Sequence, residues 1–269
     1  MMGGSVIIEQ LKRERILELL NQGKRLDGRG LYDQRSLSIE TGIIPKADGS
    51  ARVRLGDTEI VTGVKIQPDK PFPDVGDKGI LICTAEILPL ADPSAEPGPP
   101  NEAVIELARV VDRGIRETEM LDLKQLVLIK DKSVIGIFVD CSVINSGGNL
   151  FDACSYASVA ALLSCMVPKY EIKEELPVLI EGEKSKPPVK TIPVSVTMAR
   201  IGDHIIVDPT ADEEACMNAR ITITSNSDGN ICALQKGGSD GFTVEQLVKC
   251  SEIALSAGTK IRKQLEHLM

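Results

Sequence analysis

Tryptophan is absent from this 269-residue chain, and aromatic residues make up only 3% of it. A platform of rings on which single-stranded bases stack is therefore not expected. Excess positive charge is missing too. The formal balance is −8, which argues against a free-standing, non-specific nucleic-acid binder, because that mode of binding depends on surplus Lys and Arg. Any contact with nucleic acid has to come from a local basic patch. Histidine occurs twice. His204 sits in a strand pattern and His267 near the end of the chain, so neither a Ser-His-Asp triad nor a His-rich metal site is expected, and His204 reads as an ordinary strand residue. No Cys-x-x-Cys pair occurs. The seven cysteines (Cys83, Cys141, Cys154, Cys165, Cys216, Cys232, Cys250) are odd in number and scattered singly through apolar segments. They read as buried thiols in a reducing compartment, not as a zinc site or a disulfide framework. No apolar run reaches membrane-spanning length, and the N-terminus mixes charge into its apolar residues, unlike a signal peptide. The expectation is a soluble cytoplasmic protein with no membrane contact, metal or cofactor.

The chain does contain one organising stretch, residues 137–166, IFVDCSVINSGGNLFDACSYASVAALLSCM. An apolar run ends near Ile144, a loop covers Asn145–Leu150, and a small-residue helix is expected from about Asp152, with Asp152 as its N-cap. Strand, Gly-Gly loop and helix N-terminus together make a ready anion site, since glycine permits close approach and the first-turn amides point at the anion. This loop continues Asn149, Leu150, Phe151, Asp152, where a phosphate cradle would add Lys or Arg. It has the form of a phosphate loop without the cation.

Elsewhere, residues 6–21 predict an amphipathic helix, with Ile8, Leu11, Leu19 and Leu20 apolar and Gly23 ending it. Strands are predicted at 37–40, 51–55, 59–67, 79–86 and 126–129, and a helix at 102–117. The RLDGRGLYDQR segment (25–35) reads as a charged turn region. In the second half, strands are expected at 192–198, 204–207, 220–224 and 231–234. The last helix opens at Thr243 with the capping-box pattern Thr-x-x-Gln, and Val244, Leu247, Val248, Ser251, Leu255 and Gly258 form its packing face. Two segments echo each other, INSGGNLFDACSYASVAALLS and LQKGGSDGFTVEQLVKCSEIALS. Both read as strand, Gly-Gly, capped helix. That predicts an α+β fold built from a duplicated unit of mixed sheets with helices on one face. The expected organisation is an N-terminal helix (1–24), a first half (25–170), a charged, proline-bearing linker (171–190) and a second half (191–269).

Two charged groupings are candidate sites. Asp208, Asp212, Glu213 and Glu214 could hold a divalent ion, but read better as an exposed acidic loop leading into a helix N-terminus. On the helix at 102–117, Val104, Leu107, Ala108, Val111 and Ile115 form the expected buried stripe. Glu106, Arg109, Arg113 and Arg116 then fall along one edge. The plainer alternative for that edge is a solvated face laced with pairs such as Asp112–Arg116 and Arg113–Glu117. Arg52 and Arg54, on one strand face, are a second, weaker patch.

Taken in order, RLDGR (25–29), GSARVRLGDTEIVTG (49–63), TAEILP (84–89), ELARVVDRGIR (106–116) and VDCSVINSGG (139–148) resemble the ribonuclease PH family of phosphate-dependent 3′→5′ exoribonucleases. The resemblance covers most of residues 25–260. It implies a ribonuclease PH-like fold of the ribosomal protein S5 domain 2-like kind, made of two related halves. Residues 96–118 and 207–214 look most like the non-catalytic subunit of the archaeal exosome core. The implied partners are a catalytic ribonuclease PH-like subunit, three of each in a hetero-hexameric ring, together with RNA cap proteins and single-stranded RNA. Catalytic members follow Gly-Gly with Thr-Arg-Thr-Ala; Leu150 stands at that arginine, and Ala103 at a second arginine of the family. Of two family acids six residues apart, Asp208 remains and Glu214 replaces an aspartate. The implied role is a ring subunit that catalyses nothing by itself, shapes its partner's active site and binds RNA through Arg109, Arg113 and Arg116. The alternatives are an exoribonuclease active on its own and a purely structural ring subunit.

Overall fold

The computed structural model describes residues 2–96 and 98–268, with side chains from Gln10 onward. In the first half, β1 (Leu37–Thr41), β2 (Gly49–Leu55), β3 (Thr58–Asp69), β4 (Ile80–Ile87), β5 (Val127–Ile129) and β6 (Ser133–Asn145) form one sheet. Its order is β1-β2-β3-β6-β4, with β5 beside the start of β6; only β4 runs parallel to β6. Alternation decides the faces: Ala51, Val53 and Leu55 are buried, while Arg52 and Arg54 point the other way. The buried face receives α2 (Glu102–Glu117) and α3 (Leu150–Ser164).

Helix α2 starts where Asn101 accepts from the Val104 amide, with Glu102 in its first turn. Its buried stripe is Val104, Leu107, Val110, Val111, Gly114 and Ile115. Val110 joins the expected set and Ala108 is only half-buried, because α2 touches β4 on one side and the second sheet on the other. Helix α3 is buried on every side along Phe151–Leu163. Small side chains (Ala, Ser, Cys) let it lie between two sheets, as a helix without a polar face must.

The second sheet, β9 (Val194–Ile201), β10 (His204–Val207), β11 (Ala219–Ser225) and β12 (Ile231–Gly237), is antiparallel in the order β10-β9-β11-β12. Helices cover both of its faces. Ser195 and Thr197 bond to α3, while Val194 lies against Gly258 of α5 (Val244–Glu266). The fold is the mixed α+β one expected, but helices on one face describes only the first sheet. The packing face of α5 is Cys250, Ala254, Gly258, Ile261 and Leu265, with Leu247 packed beside it; Gly258 and Leu247 belong to the predicted set, while Val244 and Val248 are 73% and 55% exposed. The helix docks through its small residues, which allow close approach to the sheet.

The segment expected as a linker is mostly a hairpin of β7 (Val167–Lys173) and β8 (Leu176–Ser185). Glu174 and Glu175 form its two-residue turn with φ of 48° and 63°, the positive pair that matches strand twist. Alternating Tyr170, Ile172, Val178 and Ile180 give the charged segment a strand pattern. Helix α1 (Met2–Asn21) docks on the second half, with Ile16 and Leu20 against Ala199, Ile201, Ile206 and Cys216 of α4 (Ala211–Cys216) and its neighbouring strands. Leu11 is exposed, Leu19 half-buried, and the Ile8 side chain lies outside the described residues. His204 is a strand residue, its Nε2 2.8 Å from Asn21 Oδ1. All seven cysteines are free, five of them buried. Among the described residues no helix is long and apolar enough to cross a membrane.

Candidate functional site

The Gly-Gly loop between β6 and α3 lies under the 208–214 segment. The N-cap of α3 is Asn149, not Asp152: Asn149 is fully buried, has φ +52°, and its Oδ1 accepts from the Asp152 amide. Asn tolerates this left-handed backbone better than most residues. Asp152 sits in the first turn with its carboxylate turned to the second sheet. It accepts from Thr197 N (2.9 Å), Thr197 Oγ1 (2.7 Å) and Asn149 Nδ2 (2.8 Å). Burial pushes its carboxyl up to about 7, against the opposing pull of those hydrogen bonds.

Asp208 is also fully buried and left-handed, with φ +52°. Burial would raise its carboxyl, but Arg35 overrides that and holds it below the usual range. Arg35 donates from its backbone N (2.8 Å), Nε (2.9 Å) and Nη2 (2.7 Å) to this carboxylate; Asn149 Nδ2 (2.8 Å) and Arg29 Nη1 (3.1 Å) add two more. Arg25 and Glu213 form a buried pair, Nε to Oε1 at 2.8 Å, and Arg25 also donates to the Val207 and Asp208 carbonyls. The expectation of an exposed acidic loop therefore fails except at Asp212, which meets Lys12 in solvent. Three arginines from residues 25–35 thus oppose these carboxylates, Arg25 at Glu213 and Arg29 and Arg35 at Asp208. Among the described residues no group of three or more His, Cys, Asp or Glu could hold a metal ion.

Glu214 completes the arrangement. Its Oε1 accepts from the Asn149 amide at 3.0 Å, so an internal carboxylate occupies the first amide of the helix N-terminus. Burial pushes Glu214 up to about 7, opposed by that amide and by the charges of Arg220 and Arg35. The loop carbonyls are engaged too. Arg35 donates to Gly147 O (2.9 Å) and Gly148 O (3.0 Å), and Thr58 Oγ1 to Gly148 O (2.6 Å). Gly148 has φ +92°, and a Cβ there would fall 2.4 Å from Ala211 N. Outside lies a cleft of about 720 Å³ bordered by Arg29, Arg35, Asp57 and Thr210. Its arginines are directed at carboxylates and carbonyls, and neither Leu150 at the first helical position nor Ala103 on α2 supplies a further cation.

The three predicted RNA-contact arginines lie along one groove of about 530 Å³ on α2, with Glu106 and Gln235 beside them. They differ in freedom. Among the described residues Arg109 has no hydrogen-bond or ion-pair partner and is exposed. Arg116 is held by Asp112 (2.7 and 3.0 Å) and by Leu81 O (2.6 Å). Arg113 turns to Gln235 Oε1 (2.5 Å) and not to Glu117. Arg52 and Arg54 are engaged in cross-strand ion pairs with Glu40 and Glu59.

Sequence reasoning missed Arg25, Arg29 and Arg35, which were read as a turn region. The signal available was a basic cluster, RLDGRGLYDQR, and a distant acidic one, VDPTADEE; their pairing is set by the fold. The 3′ exoribonuclease family models match twice, domain 1 over residues 33–168 and domain 2 over 191–257. The exosome complex component Rrp42 of Thermococcus kodakarensis is 46% identical over 260 residues, covering 96% of each chain. A chain of the Archaeoglobus fulgidus exosome with RNA bound to the active site superposes with a TM-score of 0.89 at 40% identity, covering 96% of this chain and 99% of that one. A chain of an archaeal exosome core gives 0.85 at 38%, covering 97% and 98%.

Proposed function

The chain belongs to the 3′ exoribonuclease family, and from that premise we propose that it is a non-catalytic subunit of a cytoplasmic exosome core. It alternates with a catalytic ribonuclease PH-like partner, three of each, in a hexameric ring. There it shapes the partner's active site, carries RNA cap proteins and contacts single-stranded RNA through Arg109, Arg113 and Arg116. Residues 25–170 and 191–269 are its two halves, joined in the chain by residues 171–190.

The observation that carries this reading is Glu214 on the Asn149 amide. Phosphorolysis brings a phosphate dianion against an anionic phosphodiester, and its barrier falls only where cations or amides meet the developing charge. Here the amide already holds a carboxylate, and Arg29 and Arg35 are committed to Asp208. The purified chain is therefore expected to release no nucleoside diphosphates from RNA in phosphate buffer. Co-expression with the catalytic relative is expected to give a species near six chains by light scattering, with phosphorolysis restored. Turnover by this chain alone, after rigorous removal of any partner, overturns the reading.

A further inference from the structure

Arg113 is the one member of the arginine edge held by a neutral side chain from the other half of the molecule. Its Nη2 donates to Gln235 Oε1 at 2.5 Å and, more weakly, to Leu234 O at 3.4 Å. Gln235 lies on β12, an edge strand of the second sheet. Its amide is used at both ends, since Nε2 donates to Glu106 Oε1 at 3.1 Å. The same carboxylate oxygen accepts from Arg220 Nη2 at 2.8 Å. Arg220 is in turn held over the Phe151 ring, 3.9 Å from its centroid, and backed by Gly237, where a Cβ would fall 2.5 Å from Nη2. The line of contacts runs Phe151, Arg220, Glu106, Gln235, Arg113.

The chemistry of the last link matters. A carboxylate at position 235 would set a paired negative charge against Arg113, as Asp112 does against Arg116, and weaken its pull on a phosphate. An apolar side chain would leave a long, flexible side chain free, and its ordering would oppose binding. A glutamine amide fixes the guanidinium, leaves its charge intact, and is itself anchored through its NH2 group. We infer that Gln235 is a positioning residue: from the second half it aims the uncompensated Arg113 guanidinium along the α2 groove at an RNA phosphate. This rests on the RNA-contact reading of the arginine edge.

The test is a double-mutant cycle in the assembled ring with the catalytic relative, using a fluorescent single-stranded RNA across a salt series. Ring integrity is checked by light scattering. Gln235→Ala is expected to weaken binding roughly two- to tenfold, the range for leaving one such side chain to be ordered on binding. The slope of log K against log[salt] stays unchanged, because the charge remains. Arg113→Ala should weaken binding and lower that slope by about 0.7. In the Arg113→Ala background Gln235→Ala should have no further effect. If Arg113→Ala weakens binding but Gln235→Ala does not, the edge stands and the positioning role falls. A Gln235→Ala effect of the same size with and without Arg113 also overturns it, by showing a structural role. An Arg113→Ala ring that binds like wild type removes Arg113 from the RNA contact and this inference with it.

Discussion

The two Gly-Gly segments share a local pattern and have opposite fates. After Gly237–Gly238 the chain closes its helix within itself. Thr243 Oγ1 accepts from Gln246 N at 3.2 Å, Gln246 Oε1 accepts from Thr243 N at 2.9 Å, and that helix start is exposed. After Gly147–Gly148 the helix start is buried between two sheets, and a self-contained cap is not enough. Asn149 there joins Asp152, Asp208 and Glu214, and three arginines from residues 25–35 surround the group. A helix end in water can leave spare amides to solvent. A buried one must find its partners in the protein, and each charge brought in needs a counter-charge. Burial therefore turned one copy of the motif into a wide network and left the other a simple cap.

The sharpest break in this contrast is removal of a cation from each start. Arg35→Met removes two of the five donors to the buried Asp208 carboxylate and leaves Arg29 as its one cation, and is expected to cost about 3 kcal/mol, the lower end for breaking a buried pair. Near the start of α5, Arg200 pairs with the half-exposed Asp240 at 2.9 Å, and Arg200→Met should cost about 1 kcal/mol or less. Denaturant midpoints at constant m-value measure both; similar losses would remove the distinction between the two starts.

Titration separates them next. Asp152 and Glu214 titrate near 7 when folded, above their ordinary 3.8 and 4.5. The folded chain thus keeps protons that the unfolded chain releases. Their contribution is fully present below the unfolded values and is lost as pH rises towards 7, by up to about 1.4 kcal/mol per pH unit for each group. Asp208, held low, acts in the opposite sense: its contribution is present above its ordinary 3.8 and is lost as pH falls through its folded value. Stability measured from pH 5 to 7 should therefore decline, and the double variant Asp152→Asn, Glu214→Gln should flatten that decline. Glu245, at the start of α5, is held low by its own backbone amide and Thr243, so Glu245→Gln should leave the slope in this window unchanged.

The smallest effect belongs to the exposed cap. Thr243→Ala should cost about 1 kcal/mol, the usual value for a helix N-cap, with no change in the pH profile just described. A loss several times larger would mean that the second start is part of a network after all.

Much of the architecture was legible in the chain. Alternation of apolar residues placed the strands, Thr243 marked the start of the last helix, and the repeated Gly-Gly pattern announced the duplication, because these signals act over a few residues. The three arginines on α2 share a groove as their helical spacing implies. Tertiary contact decided what spacing cannot encode. Thr197, 45 residues beyond Asp152, draws that carboxylate away from the cap it was expected to make. Arg35 reaches Asp208, 173 residues away. Arg113 finds Gln235 in place of Glu117 one turn along. Val248 stays exposed because α5 packs through its glycine and alanines. Local patterns determine which elements form and which faces are apolar. Which of several available carboxylates, amides or cations a buried charge meets depends on which strand and helix the fold brings within 3 Å, since a charge out of water takes whatever partner is there.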